Sequence, residues 1–222
     1  MITLPVYIVV DTSASLMGDM DDVNAALVEL IGALQEDSKV EELVRVAVIQ
    51  FASDAREVIP LSDVRELGAI PELVAHGATN YGSVFRLVRP LIVRDVAALK
   101  AAGGRVFRPI MFFVSDGSPV DPSWREALRG LHSSEFRERP TIVAFGIGSV
   151  DPDVLREIGT NDGGAFMVST ALSVGDAIRS VFGGLMTMLS STVQSTTSPD
   201  KRVLPIALSD DWLDLTAVPD AG

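Results

Sequence analysis

Five side chains whose oxygen atoms could bind a cation lie in three short polar segments of the sequence. Two are carboxylates and three are hydroxyls, and they are Asp11, Ser13, Ser15, Thr79 and Asp116. Hard cations such as Mg²⁺ prefer oxygen ligands in near-octahedral geometry. Because the two carboxylates supply negative charge to balance an ion, these five residues predict a divalent metal site.

The hydroxyl groups determine what such a metal would bind next. Ser13 and Ser15 are two residues apart, so both hydroxyls can turn toward one point, and Thr79 can approach from a second segment. Uncharged ligands leave an ion electron-poor, and Mg²⁺ retains water when its protein ligands are few. The predicted site would therefore accept an anionic oxygen from another molecule.

Alternating apolar runs and helical patterns must position these residues. The apolar runs predict six strands, at Val6–Val10, Val44–Phe51, Glu57–Leu61, Ile110–Val114, Ile142–Ile147 and Phe166–Val168. Apolar residues at helical spacing predict helices over 23–34, 81–92, 124–131 and 178–189. This alternation predicts an α/β fold, a doubly wound and mostly parallel six-stranded sheet with helices on both faces. The turn at Ser53-Asp54 predicts one antiparallel edge strand.

The predicted fold would bring the three polar segments together. Ligands of open α/β sheets bind beyond the carboxyl ends of the strands. The first predicted strand leads directly into Asp11, and the fourth leads into Ser115-Asp116-Gly117. Thr79 lies in the Gly-Ala-Thr-Asn segment that enters the second predicted helix. We therefore expect all three segments at one edge of the sheet.

These motifs, in this order, resemble the metal-ion-dependent adhesion site (MIDAS) of von Willebrand factor A (VWA) domains. The resemblance covers about residues 4–190 and rests on an Asp-x-Ser-x-Ser motif, a Gly-x-Thr loop and a later Ser-Asp-Gly. It implies that Ser13, Ser15 and Thr79 bind the metal directly. It implies that Asp11 and Asp116 act directly or through water. A Glu or Asp of a partner protein would complete the coordination of Mg²⁺, or of Mn²⁺ or Ca²⁺.

Two short segments are similar to the bacterial TerY-like branch of the family, which is named for tellurium resistance. They are 4–13, which ends in Asp-Thr-Ser, and 24–27, Asn-Ala-Ala-Leu. Ala14 stands where that branch commonly has Gly, and Leu16-Met17 appears where Met alone usually follows the second Ser. This resemblance implies a scaffold of a bacterial stress response, with a kinase or phosphatase as a possible partner.

Composition excludes several other functions. The chain has 222 residues and a net charge of −12, from 18 basic and 30 acidic residues, which predicts no nucleic-acid partner. Because there is no cysteine, disulfides, thiolate catalysis and cysteine-based metal sites are excluded. Neither a signal-peptide pattern nor a run of about 20 apolar residues is present, so we expect a cytoplasmic protein that has no membrane partner.

Two alternatives to a metal-dependent binding module stay open at this stage. The first is an Mg²⁺-dependent phosphoryl-transfer enzyme with Asp11 as the nucleophile, but Ser13 stands where such enzymes usually have a second Asp. The second is a VWA fold whose metal site is vacant and which binds through other surfaces. A serine hydrolase is disfavoured because no Gly-x-Ser-x-Gly follows a strand. We therefore predict a protein that is not an enzyme.

Polar residues near the five candidates are given structural roles. Asn80 is expected to cap a helix, and His76 to be structural or exposed rather than a ligand. Ser115 and Ser118 are expected to be surface turn residues, with a role in supporting the metal ligands from behind as the alternative.

The sequence changes character near its C-terminal end. Residues 190–199 are rich in Ser and Thr, and residues 200–222 hold five Asp against two basic residues. We therefore predict a VWA domain over 1–194 and an acidic tail over 195–222. The tail is expected to fold back on the domain or to be disordered in part. The alternative is a short recognition segment with Trp212 as its anchor.

Overall fold

The computed structural model describes residues 2–168, 172–194 and 212–216. Its strands are β1 (Ile2–Asp11), β2 (Val44–Phe51), β3 (Ala55–Asp63), β4 (Arg105–Val106), β5 (Ile110–Ser115), β6 (Thr141–Gly146), β7 (Gly164–Val168) and β8 (Trp212–Asp214). Its α-helices are α1 (Met20–Glu36), α2 (Ser38–Leu43), α3 (Tyr81–Ala101), α4 (Trp124–His132), α5 (Pro152–Ile158) and α6 (Val174–Gln194).

The strands form one mixed sheet in the order β3-β2-β1-β5-β6-β7-β8, with β4 pairing beside β1. All strand pairs are parallel except β2 with β3 and β7 with β8. The predicted fold class is therefore confirmed, including the antiparallel hairpin of β2 and β3. The described residues contain two more strands than the six predicted. β4 has two residues and β8 has 3, which is too few for a hydrophobic pattern to stand out in either.

Both faces of the sheet are covered by helices, which produces two core layers. On one face Val6, Ile8 and Val10 of β1 belong to a cluster with buried residues of α1 and α6, which we call the α6-side core. On the other face Tyr7 and Val9 belong to a cluster with residues of α3 and α4, which we call the α3-side core. Because β1 is buried on both faces, its sequence is a continuous apolar run rather than an alternating one.

The four helices that the periodicity predicts are all present, and α2 and α5 are additional. These two have 6 and 7 residues, which is too short for helical spacing to stand out from the flanking loops. Both begin at an Asp whose side chain accepts hydrogen bonds from backbone N–H groups of the first turn, Asp37 and Asp151. Among the described residues, no helix has the length and apolar character needed to span a membrane.

Strand register determines which loops lie together. Val10 of β1 pairs with Val114 of β5, so Asp11 and Ser115 leave adjacent parallel strands at the same level. The N-terminus of α3 enters from the neighbouring loop, where the Asn80 backbone N–H donates to the Ala52 carbonyl at 2.9 Å. The three polar segments singled out in the sequence therefore meet at one edge of the sheet.

Candidate metal site

Asp11 is held in a fixed orientation at the end of β1. It is only 1% exposed, and its Oδ1 accepts a hydrogen bond of 2.8 Å from the Ser13 backbone N–H. The Ser13 and Ser15 hydroxyl oxygens lie 3.0 Å apart. Among the described residues no amino acid other than glycine has a positive φ, so Ala14 fits the loop where the TerY-like branch commonly has Gly.

The segment that carries Thr79 is fixed to its neighbours by backbone hydrogen bonds. The His76 N–H donates to the Thr12 carbonyl at 2.9 Å, and the Ala14 N–H donates to the Gly77 carbonyl at 3.1 Å. Gly77 has φ +60°, and a Cβ at this position would collide with the Ser53 side chain. A residue with a Cβ is therefore disfavoured at this turn of the loop.

Ser115 joins Asp11 to the loop of Asp116. The Ser115 hydroxyl is buried and donates to Asp11 Oδ2 at 2.5 Å. The Tyr81 hydroxyl lies 2.9 Å from Ser115 Oγ and 2.7 Å from the Gly117 carbonyl oxygen. The expectation that Ser115 is a surface turn residue is wrong, because the sequence alone does not reveal that β5 extends to residue 115. Tyr81 was predicted only as an apolar helix residue, and no sequence signal indicates its contact with the site.

Thr79 lies next to Gly117, the residue that follows Asp116. A Cβ built on Gly117 would be 3.1 Å from Thr79 Oγ1, so the threonine hydroxyl faces this glycine closely. The Val120 backbone N–H donates to the Thr79 carbonyl at 2.9 Å, which ties the two loops together. All five sequence-predicted residues therefore lie in neighbouring segments at one edge of the sheet, with Asp11 at the end of β1 and Ser15 in a short 3-10 helix (Ala14–Gly18).

The two candidate carboxylates have raised pKa values because they are buried. The pKa of Asp11 is raised to about 6, chiefly by burial and to a smaller extent by the nearby Asp116, although hydrogen bonds from Ser115 and Ser13 act in the opposite direction. Burial also raises the pKa of Asp116, against the effect of the Ser15 hydroxyl. Asp116 Oδ1 is buried and has no hydrogen-bond partner among the described residues. Such an atom normally has a partner, so the site is short of positive charge or of donors.

The available ligands suit a hard cation. Within the described part of the chain, no group of three or more His, Asp or Glu side chains is placed to hold a metal. A metal at this edge of the sheet would therefore need hydroxyl ligands in addition to Asp11 and Asp116. Mg²⁺, Mn²⁺ and Ca²⁺ commonly bind oxygen ligands alone, whereas zinc sites usually include nitrogen or sulfur. The carboxylate and hydroxyl oxygens at this site therefore suit Mg²⁺, Mn²⁺ or Ca²⁺ better than Zn²⁺.

Asn80 and His76 have the structural roles that the sequence predicts. The Asn80 side chain caps α3 by accepting from the Ser83 N–H at 2.9 Å. His76 is exposed, and its Nε2 lies 3.0 Å from an Asp54 carboxylate oxygen. No hydrogen bond described for the side chains of Asn80 and His76 joins them to a candidate ligand.

The von Willebrand factor type A domain family matches residues 6–179, most of the chain. The chain therefore belongs to this family, and the resemblance seen in the sequence is confirmed at the level of the VWA domain. A comparison with the curated proteins finds no significant match.

Several solved structures have a similar fold at low sequence identity. A von Willebrand factor type A protein from Catenulispora acidiphila has a TM-score of 0.62 at 16% identity, over 85% of this chain and 43% of its own. The pilus adhesin SpaC from Lactobacillus rhamnosus GG, in an open conformation, has a TM-score of 0.65 at 13% identity, over 87% of this chain and 30% of its own. Proximal thread matrix protein 1 from the mussel byssus, solved with a zinc-occupied MIDAS motif, has a TM-score of 0.56 at 16% identity, over 85% and 48%. The chain thus spans less than half the length of each of these structures.

Proposed function

We propose that this protein is a metal-dependent protein-interaction module. A divalent cation would be held by Asp11, Ser13, Ser15, Thr79 and Asp116, and a Glu or Asp of the partner would complete its coordination. The observation that carries this proposal is the buried Asp116 Oδ1 without a partner, on a loop packed against Asp11. Domains of this family typically mediate protein–protein interaction, which supports the same function.

The spacing of the serine hydroxyls supports a shared ion. Adjacent ligands of an octahedral Mg²⁺ at about 2.0–2.1 Å lie roughly 2.9 Å apart. Ser13 Oγ and Ser15 Oγ are separated by 3.0 Å, so both could enter one coordination sphere with little rearrangement. The chain's own groups would hold the ligands in place, since Ser115 and the Ser13 N–H each occupy one oxygen of Asp11.

The surface around the site supports a protein partner. Met17 follows Ser15 on its loop and is 66% exposed, and Val120 follows Asp116 on its loop and is 65% exposed. Exposed apolar side chains beside a polar centre are typical of interaction surfaces. Because the protein carries a net charge of −12, a bound cation would supply the local positive charge that an acidic partner residue needs.

The identity of the cation and of the partner belongs to this proposal as well. We propose Mg²⁺, with Mn²⁺ or Ca²⁺ as substitutes, because all the candidate ligands are oxygens. The mussel protein carries zinc in its motif, so zinc is included in the test below. The similarity of residues 4–13 and 24–27 to the TerY-like branch supports a cytoplasmic stress-response scaffold whose partner is a kinase or phosphatase. Binding without turnover is proposed, and a generic phosphatase assay tests the phosphoryl-transfer alternative.

The decisive experiment is thermal and chemical unfolding in EDTA and then in Mg²⁺, Mn²⁺, Ca²⁺ or Zn²⁺. A cation present at 100 times its Kd should stabilise the natural chain by about 2.7 kcal/mol. Ser15→Ala should lose this stabilisation, because it removes a proposed ligand from an exposed position. Ser118→Ala is the matched control, because Ser118 is also an exposed serine and lies two residues beyond Asp116.

The outcomes separate the alternatives. Stabilisation that Ser15→Ala abolishes and Ser118→Ala retains supports the site, and capture of an acidic partner in metal but not in EDTA supports the function. If no cation stabilises the natural chain, even with acetate or glutamate added to mimic the partner carboxylate, the site is vacant and the proposal fails.

A further inference from the structure

The segment Trp212–Thr216 completes one edge of the sheet, although residues 195–211 separate it from the end of α6 in the sequence. Trp212, Leu213 and Asp214 of β8 pair antiparallel with Val168, Met167 and Phe166 of β7. Without β8, the backbone groups on this side of β7 would form an open edge. Such an edge is a template for pairing with another extended chain.

Two side chains anchor the segment, one on each face of the sheet. Trp212 packs against the α6-side core, where its ring centroid lies 5.3 Å from that of Phe145, and its Nε1–H donates to Ser180 Oγ of α6 at 2.7 Å. Leu215 is buried in the α3-side core. Leu213 between them is 57% exposed and contributes no anchor.

Backbone hydrogen bonds fix the register of the segment. The Leu215 N–H donates to the Ala165 carbonyl at 2.9 Å, and Arg156 Nε donates to the Leu215 carbonyl at 3.0 Å. The Thr216 N–H and hydroxyl both donate to the Asp214 side chain, at 2.8 and 2.6 Å, where the strand ends. The edge of β7 therefore recognises both an extended backbone and two spaced apolar side chains, as strand-addition sites do.

The small size of the segment favours exchange. β8 has 3 residues and depends on two anchors, so it should open at much lower free energy than the central strands. Residues 195–211, at about 3.3–3.6 Å each, could reach up to roughly 50–60 Å when extended. The same segment could therefore be delivered to the edge of a neighbouring molecule.

We propose that the outer edge of β7, with its sites for Trp212 and Leu215, is a peptide-binding site for this segment. The segment fills the site of its own chain in the structure and is exchanged with that of a second copy in solution. This strand exchange would join two copies of the domain through an edge distinct from the candidate metal site. It does not depend on metal binding.

A cross-linking experiment tests the exchange directly, because the natural chain contains no cysteine. Met167→Cys and Leu213→Cys are made in separate full-length chains, which are mixed and oxidised. Met167 and Leu213 are direct partners, and antiparallel partners have Cα separations of about 4.5–5.5 Å, within disulfide range. A disulfide-linked heterodimer is expected, since neither chain can form this bond internally.

The double variant with both cysteines in one chain is the control for geometry. It should oxidise within the chain, which locks the segment in place. Chance collision of single cysteines produces both homodimers and the heterodimer in a statistical ratio. If this control oxidises readily while the mixed single variants give no more heterodimer than that ratio, the segment stays with its own chain and the proposal is overturned. Adding an excess of the natural chain, which has no cysteine, should reduce heterodimer formation by competing for the edge of β7.

A second experiment measures recognition of the segment as a peptide. A fluorescent peptide of residues 209–218 is titrated into full-length Trp212→Ala/Leu215→Ala, whose own segment has lost both anchors. We expect at least about tenfold tighter binding than to the natural chain, where the internal segment competes. The peptide with Leu213→Ala should bind as well as the natural peptide, and the peptide with Trp212→Ala should not. Equal and weak binding of all three peptides to a folded variant contradicts the proposed site.

Discussion

At the scale of single residues, the site depends on how Asp11 is oriented before any cation arrives. One carboxylate oxygen accepts from the Ser13 N–H and the other accepts from the Ser115 hydroxyl. Such outer hydrogen bonds orient metal ligands, and their loss commonly weakens metal affinity 10- to 100-fold. Ser115 therefore matters to the site although it is not among the proposed ligands.

We predict that Ser115→Ala lowers the affinity for Mg²⁺ or Mn²⁺ by about 10- to 100-fold, because Asp11 loses the donor that holds its second oxygen. Isothermal titration calorimetry in metal-free buffer measures the change. Ser118→Ala should bind with natural affinity. Unchanged affinity in the Ser115 variant would mean that the orientation of Asp11 does not limit binding.

The two histidines should respond to pH with opposite signs. Burial lowers the pKa of His132, against the effect of its hydrogen bond to the Ile158 carbonyl. Its contribution to stability is therefore present above its unfolded pKa of about 6.5 and is lost as the pH falls through the lower pKa of the folded state. The hydrogen bond to Asp54 raises the pKa of His76, so any contribution from this exposed pair is present below about 6.5 and is lost as the pH rises.

We predict that His132→Gln makes the free energy of unfolding less sensitive to acidification between pH 7 and pH 5, since glutamine keeps a donor but cannot become charged. Urea unfolding at several pH values measures this. His76→Gln should change the profile little and in the opposite sense. If the His132→Gln variant loses as much stability on acidification as the natural chain, protonation of His132 is not a cause of that loss.

At the scale of elements, the segment that precedes α3 is held to its neighbours mainly by hydrogen bonds of its backbone. The segment 76–80 is fixed by hydrogen bonds to the loop after β1 and to the loop after β2. Gly77 permits this path because its φ of +60° is costly for residues with a Cβ. Small backbone changes there should reach Thr79, two residues away.

We predict that Gly77→Ala destabilises the fold by about 1–2 kcal/mol and weakens metal binding, because the left-handed conformation and the Ser53 side chain both oppose a methyl group. Urea unfolding in EDTA and metal titration measure the two effects. Gly18→Ala is the control, because a Cβ there meets no atom within 4 Å and its φ is not in the left-handed region. Equal behaviour of the two variants would show that the loop path has no such requirement.

At the scale of the whole molecule, charge should influence stability independently of any specific site. A net charge of −12 produces self-repulsion that screening ions reduce. Part of any stabilisation by Mg²⁺ would therefore be nonspecific. The comparison must be made at constant ionic strength.

We predict that NaCl raises the melting temperature of the natural chain in EDTA, and that Mg²⁺ at matched ionic strength raises it further. Ser15→Ala should keep the response to NaCl and lose the additional response to Mg²⁺. Differential scanning calorimetry measures both. If Mg²⁺ and matched NaCl have the same effect on the natural chain, the metal effect is only screening.

The sequence by itself determined the fold class and the five candidate ligands. Buried parallel strands such as β1 and β5 are continuous apolar runs, and polar residues placed directly after them must emerge at the same edge of the sheet. Both the apolar runs and the polar residues that follow them can be read directly from the order of residues in the sequence. The short elements α2, α5 and β4 escaped prediction, because a periodic pattern needs more residues than they contain.

The tertiary structure alone decided the contacts made by residues far apart in the sequence. Ser115 lies 104 positions from Asp11, and Trp212 lies 32 positions from Ser180, so no local pattern indicates either hydrogen bond. The orphaned oxygen of Asp116 is also a property of packing, because burial depends on which loops cover it. Local sequence selects elements and their order, whereas burial and long-range hydrogen bonding are set only when those elements pack together.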